Sequence, residues 1–141
     1  MISKWWDKKW DWREPPVETK AAGGGQRGFE TEFFESVVRR QGDYWEVLSV
    51  LANHYTSEKR YREGLALDRR LARLRPRDPV VFYNLACSYS LVGRLRSALK
   101  ALKRALALGY RDFSHLMDDE DLDALRHDGR FRSLIAPYVE A

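Results

Sequence analysis

The chain has 141 residues with 25 Lys and Arg against 21 Asp and Glu, enough for one small domain plus an arm. No run of 18 apolar residues occurs, so we expect no membrane span, and the first residues lack the apolar core of a secretory signal. The single cysteine, Cys87, excludes an internal disulfide. Together these features favour a cytoplasmic protein.

The first predicted element is a tryptophan-rich arm and a glycine-rich linker over residues 1–28. The arm's tryptophans, which would share one half of a helical wheel, are Trp5, Trp6, Trp10 and Trp12. Pro15 and Pro16 would end that helix, and the glycines at 23–25 favour a flexible linker. An aromatic arm on a tether suits binding to a partner protein; docking on the chain's own fold and on a membrane are the alternatives.

The region 29–42 is predicted to be a degenerate leading helix. Its apolar residues recur at helical spacing: Phe29, Phe33, Phe34, Val37 and Val38. Two stretches then repeat each other with an offset of 34 residues, at 43–78 and 79–112. The matching residues are Leu51 with Leu85, Ala52 with Ala86, Tyr55 with Tyr89, Leu65 with Leu99 and Leu74 with Leu108.

Helix boundaries are marked within both stretches. Asp43 and Asp78 are predicted to cap the two first helices, and Gly93 and Gly109 are predicted helix ends. In the first stretch, Gly64 stands where the second stretch has Ala98, and Asp68 stands where a large apolar residue is normal. An aspartate at the seam between helices is costly unless it is paired or exposed, so we expect looser packing there. The second stretch carries an aromatic–x–x–Leu–Ala–x–x–Tyr helix as Phe82, Leu85, Ala86 and Tyr89.

With its period of 34, this pattern resembles the tetratricopeptide repeat, a helix–turn–helix unit. The region 113–141 is similar to the shortened final unit of bacterial members of that family, through spaced residues that include Leu122, Leu125 and Phe131. The resemblance implies an all-α solenoid of two full repeats with capping helices on both sides. Each unit would leave an apolar face that its neighbour covers.

In this family the first helix of each unit lines a concave groove that holds peptide segments. The resemblance places groove positions in the first unit at Glu46, Ser49, Val50, Asn53 and Thr56. In the second unit it places them at Val80, Tyr83, Asn84, Cys87, Ser90 and Leu91. Tyr83 and Leu91 are the predicted anchors for a partner. The alternative is that so short a groove is vestigial and the ends of the domain bind.

Basic residues also recur at the repeat offset, along the predicted second helices. This basic ridge consists of Arg60, Arg62, Arg69, Arg70, Arg94, Arg96, Lys103 and Arg104. A ridge of this charge suits an acidic peptide, nucleic acid or another anionic surface, and the alternative is an ordinary solvated face. Apart from Tyr61, aromatic residues are not interleaved with the arginines, which disfavours base stacking.

No catalytic, cofactor or metal pattern is evident. His54, His115 and His127 lack metal-ligand spacing with each other or with Cys87, and the acidic run at 118–123 does not follow a calcium loop. We therefore predict a non-catalytic adaptor or assembly subunit, without cofactor or metal, that binds protein partners and is open to self-association. The alternative is a protein that associates with nucleic acid or an anionic surface through the basic ridge.

Overall fold

The structure, a computed structural model, describes residues 26–40 and 44–139. Within these two ranges the chain is all-α and contains no strand. The helices are α1 (Gln26–Arg40), α2 (Trp45–Ser57), α3 (Tyr61–Leu74), α4 (Pro79–Leu91), α5 (Leu95–Ala107), α6 (Phe113–Asp118), α7 (Asp123–Arg126) and α8 (Gly129–Val139), with a 3₁₀ turn at Glu120–Leu122. Of the helices described, none has the length and apolar character needed to cross a membrane.

The predicted repeat is present in the helices themselves. Helix α2 begins at 45 and ends at 57, and α4 begins at 79 and ends at 91, so both boundaries shift by 34 residues. The start of α3 at 61 and the start of α5 at 95 differ by the same number. The sequence offset is therefore the offset of a folded helical hairpin.

The ends of α2, α4 and α5 share one geometry, in which the second residue after the helix adopts a left-handed backbone. These residues are Lys59 (φ 61°), Gly93 (φ 80°) and Gly109 (φ 107°). The following amide donates to a carbonyl five residues back: Arg60 to Tyr55 at 2.8 Å, Arg94 to Tyr89 at 2.9 Å and Tyr110 to Ala105 at 3.0 Å. Glycine adopts this conformation without steric cost, whereas the Cβ of Lys59 is strained there.

The starts of α2 and α4 differ. The Asp78 carboxylate caps α4 as predicted, accepting from the amides of Val80 at 3.0 Å and Val81 at 3.4 Å. The predicted cap of α2, Asp43, lies outside the described residues. Tyr44 holds the capping position of α2, and its side chain makes no capping hydrogen bond.

The chain divides into two compact units after Leu74. In the first unit α1 packs on α2, and α2 packs on α3. Helix α1 begins three residues before the predicted start at Phe29, inside the predicted linker. The helix extends this far because Gln and Arg favour helix, and the single glycine at 28 lowers helix stability by only about 1 kcal/mol. Packing at Gly64 is tight, contrary to expectation, since an added Cβ would lie 3.1 Å from Thr56 Oγ1.

In the second unit, α4 and α5 form a hairpin, and the elements after α5, here called the C-terminal segment (residues 113–139), pack back onto it. The 3₁₀ turn and α7 lie against α4, while α7 and α8 lie against α5. The fully buried side chains of this unit come from the hairpin and from the C-terminal segment alike: Leu102, Leu106, Leu116, Leu122 and Leu125. The C-terminal segment is therefore part of the core.

Candidate functional site

Three of the five predicted groove positions of the first unit are open to solvent, and Ser49 and Thr56 are half-buried. Glu46, Val50 and Asn53 recur every three or four residues along α2, so they share one face of the helix, and all three are exposed. Ser49 is half-buried beside them. This face presents an acid, an apolar side chain and an amide, which suits contact with a peptide.

Helix α1 exposes a pair of aromatic residues. Its inner face contacts α2 through Phe34, which lies against the His54 ring with the ring centres 5.4 Å apart, and through Glu35, which accepts a 2.7 Å hydrogen bond from the Tyr55 hydroxyl. Phe29 and Phe33 lie elsewhere on the helix and are 71% and 56% exposed. The helical spacing of these phenylalanines predicted the helix, which is present, but it did not specify which of them another element covers.

The corresponding face of α4 is largely covered. Tyr83 and Cys87, two predicted groove residues, are only 3% and 7% exposed, because the C-terminal segment packs over them. Neither side chain is available to touch a partner in this structure. Val80 is exposed, and Asn84 and Leu91 are half-buried, so only the edges of this predicted groove reach solvent.

A polar cluster replaces the expected groove in the second unit, centred on the Asp119 carboxylate. Asp119 Oδ2 accepts a 2.6 Å hydrogen bond from the Tyr83 hydroxyl and lies 3.2 Å from His115 Nε2 and 3.7 Å from Cys87 Sγ. Asp119 Oδ1 accepts from the backbone amide of Asp121 at 3.0 Å, which holds the turn in place. The Tyr83 ring stacks on Tyr110 with the ring centres 4.3 Å apart.

Burial and negative charge set the protonation of this cluster. Burial, followed by the Asp119 and Asp121 carboxylates, raises the pKa of the Cys87 thiol, and burial raises the pKa of the Tyr83 hydroxyl. Burial and the nearby Asp112 raise the pKa of Tyr110 to about 12. Burial and then the Asp119 charge raise the pKa of Asp121. The free thiol is therefore protonated near neutral pH and is a poor nucleophile.

Sequence reasoning missed this cluster. It tested Cys87 and the histidines for short metal-ligand spacings, but Cys87 and Asp119 are 32 residues apart and meet only through the fold. The acidic run 118–123 follows no calcium loop, yet its Asp119 caps the 3₁₀ turn through Oδ1 and reaches the buried face of α4 through Oδ2. One feature of the sequence could have indicated the cluster. Tyr83 and Cys87 are residue types that are often buried, yet both stand at groove positions that were predicted to be exposed.

The predicted basic ridge is uneven. Arg60 is surrounded by acids, with nitrogens 3.5 to 3.8 Å from carboxylate oxygens of Glu35, Glu58 and Glu63, and its guanidinium covers the Tyr55 ring. Its charge is neutralised locally, so Arg60 is a structural residue of the first unit. Of the others, Arg69, Arg70 and Arg94 are half-buried, while Arg62, Arg96, Lys103 and Arg104 are exposed.

Among the described helices, α5 carries the largest number of exposed basic residues. It contains four basic residues and no acid: Arg96, Lys100, Lys103 and Arg104. Arg104 covers the Phe82 ring and donates a 3.4 Å hydrogen bond to the Pro76 carbonyl. Within the part of the chain that the structure describes, no acid pairs with Arg96, Lys100 or Lys103. This helix is therefore a candidate surface for an anionic partner.

The predicted aromatic arm, with Trp5, Trp6, Trp10 and Trp12, lies outside the described residues, as does most of the linker.

Comparison with known proteins gives a partial likeness. A chloroplastic protein of Arabidopsis thaliana is 39% identical over 62 residues, a match that covers 44% of this chain. The chain spans 18% of the length of that protein. No family model and no solved structure matches the chain. The likeness thus concerns a stretch of less than half the chain.

Proposed function

We propose that this chain is a non-catalytic adaptor or assembly subunit of the tetratricopeptide type. The exposed Phe29–Phe33 pair on α1 is the observation that carries the proposal. Large aromatic side chains that remain this exposed mark interaction surfaces, because burying them against a partner removes apolar area from water. The open face of α2, with Val50 between Glu46 and Asn53, supports it.

The tryptophan arm is the proposed second contact. It precedes α1 in the sequence, with the predicted linker between them, so we expect a partner that touches Phe29 and Phe33 to meet Trp5, Trp6, Trp10 and Trp12 as well. Two linked weak contacts bind a partner more tightly than either contact alone, because binding of the first holds the second at a high effective concentration near its site. We place the protein in a reducing compartment: the cytoplasm is our first choice, and a plastid like that named for the relative is the alternative.

Affinity purification of the tagged full chain from its source-cell lysate, with nuclease present, tests the adaptor proposal. The double variant Phe29→Ser, Phe33→Ser should reduce recovery of a discrete partner at least about tenfold, since a central aromatic contributes about 2 kcal/mol or more to binding. The matched control is Met117→Ser with Val139→Ser, which also removes two exposed apolar side chains. A partner lost equally from both variants would contradict the proposed surface.

A second candidate function, binding of an anionic partner such as nucleic acid, is favoured by α5 alone. The exposed side chains of Arg96, Lys100 and Lys103 have no acidic partner among the described residues, so their charge is available. Phosphate contacts by such residues would give affinity that falls steeply with salt and carries little sequence preference.

Nucleic-acid binding measured at two salt concentrations separates the two functions. Changing Arg96, Lys100 and Lys103 to Glu should abolish binding to a generic single-stranded oligonucleotide if α5 is the surface. The control replaces Arg130 and Arg132, which lie on α8, by Glu. Binding that is insensitive to salt, or equally weakened by the control, would exclude α5 as an anion-binding surface.

A further inference from the structure

The cluster between α4 and the C-terminal segment contains sulfur, nitrogen and oxygen atoms of the kinds that bind transition metals. The donor atoms of Cys87, Asp119 and Asp121 all lie within 4.8 Å of one another. His115, on α6, lies beside this group, with Nε2 3.2 Å from Asp119 Oδ2. The fold of the second unit thus brings a thiol from α4 together with two carboxylates from the C-terminal segment.

We propose that Cys87, Asp119 and Asp121 form a binding site for a zinc-class divalent cation, with His115 as the fourth ligand. A thiol together with carboxylate and imidazole groups suits Zn²⁺, which accepts sulfur, nitrogen and oxygen ligands, better than the hard cations Mg²⁺ and Ca²⁺.

Distances between the ligand atoms support this choice. In a tetrahedral zinc site, bonds of about 2.3 Å to sulfur and about 2.0 to 2.1 Å to nitrogen and oxygen separate sulfur from oxygen by about 3.5 Å and nitrogen from oxygen by about 3.4 Å. The corresponding distances from Asp119 Oδ2 are 3.7 Å to Cys87 Sγ and 3.2 Å to His115 Nε2. The exposed His115 side chain has room to adjust toward the other two ligands.

Charge provides an independent argument. Asp119 and Asp121 lie together beside a buried thiol, and in the described residues no lysine or arginine pairs with either. The Asp121 carboxylate makes no hydrogen bond or ion pair there, and the basic side chain beside the two acids is His115, which would itself bind the ion. A divalent cation would balance both carboxylates and replace the thiol proton.

Tyr83 would support the ligands without binding the ion. Its hydroxyl donates to Asp119 Oδ2, and its ring is held against Tyr110, so it fixes the orientation of that carboxylate. Outer hydrogen bonds of this kind orient metal ligands and tune their affinity. The ion would link α4 to the C-terminal segment, and it would thereby stabilise the packing of that segment on α4.

Titration of the full chain with Co²⁺ tests the proposal, after removal of metals by a chelator and with a phosphine reductant. We expect one equivalent to bind with a thiolate-to-cobalt charge-transfer band and the visible absorption of tetrahedral Co²⁺, and Zn²⁺ should displace it. Zn²⁺ should also raise the thermal midpoint of unfolding. Absence of binding at millimolar Co²⁺ and Zn²⁺ would overturn the proposal.

Matched variants identify the ligands. Cys87→Ser should remove the charge-transfer band, and Asp121→Asn should weaken binding at least about tenfold. Glu120→Gln removes the same charge from an exposed residue of the same segment and should leave binding within about twofold. An equal loss of metal affinity in Asp121→Asn and Glu120→Gln would mean that acidic residues attract the cation non-specifically, which would contradict the proposed site.

A measurement on the unchanged protein covers the case in which Cys87→Ser fails to fold. X-ray absorption of the zinc-loaded chain counts the sulfur atoms bound to the metal. One sulfur is expected from Cys87, the single cysteine of the chain, and none would overturn the site.

Discussion

The first helices of the two hairpins occupy equivalent places in the repeat, yet their predicted groove faces differ. On α2, Asn53 is exposed and Ser49 half-buried, whereas their counterparts 34 residues later on α4, Cys87 and Tyr83, are buried. The difference arises because the C-terminal segment packs over α4 and inserts Asp119 beside both side chains. A shared repeat position therefore fixes the local helix, while the packing neighbour decides whether its surface is available.

The largest expected effect on stability comes from weakening the packing of the C-terminal segment on α4. Leu122→Ala, at a fully buried residue of the 3₁₀ turn, should lower the free energy of unfolding by about 2 to 5 kcal/mol, because it leaves a cavity. Urea unfolding measures this loss. Met117→Ala, at an exposed residue of the same segment, should change stability by less than about 0.5 kcal/mol. Similar effects of both changes would mean that the segment is not part of the core.

Removal of the Tyr83 hydroxyl tests the same difference between the faces of α4 and α2. Tyr83→Phe deletes the hydrogen bond to the Asp119 carboxylate and should cost about 1.5 to 3 kcal/mol, the usual range for a hydrogen bond to a charged group. The equivalent change on the open face, Ser49→Ala, should cost less than about 0.5 kcal/mol. Equal losses, measured by chemical denaturation, would show that the two faces are energetically alike.

The first unit has its own buried tyrosine, whose contribution should depend on pH. Burial and the hydrogen bond to Glu35 raise the pKa of Tyr55 above its usual value of about 10, so folding favours the neutral hydroxyl. This stabilisation is complete below about pH 10 and is lost as pH rises further, because only the unfolded chain then ionises readily.

Stability curves between pH 8 and pH 11 check this prediction. Tyr55→Phe should flatten the alkaline fall relative to the unchanged protein, and Glu35→Gln should give an intermediate slope because burial alone remains. Parallel curves for all three proteins would contradict it.

The smallest expected effect concerns the turns that end α2 and α4. Lys59→Gly should stabilise the protein by about 0.5 to 1 kcal/mol, because glycine adopts the left-handed backbone without strain. The reverse change in the other hairpin, Gly93→Lys, should destabilise by about 1 kcal/mol or more, although nothing lies near its Cβ position. Thermal unfolding of both variants distinguishes backbone strain from packing, and destabilisation by Lys59→Gly would be the contrary result.

The sequence was informative where local chemistry decides the structure. The 34-residue offset predicted the hairpins, Asp78 predicted the start of α4, and Gly93 and Gly109 predicted the ends of α4 and α5. Lys59 escaped notice because a lysine carries no sign of a left-handed backbone. The exposure of Phe29 and Phe33 could not be predicted, because helical spacing shows that residues share a face without showing whether another element covers it.

By itself, then, the sequence determined the all-α class and the repeating hairpin, since both follow from short-range spacing, capping and turn chemistry. Tertiary structure alone decided that Tyr83 and Cys87 are covered, that Arg60 is neutralised, and that Asp119 meets a thiol 32 residues away. These outcomes depend on which distant segment packs on each helix. Which segment packs on which helix depends on the apolar surface buried and the charges paired across the whole folded unit. A short stretch of sequence does not show these quantities.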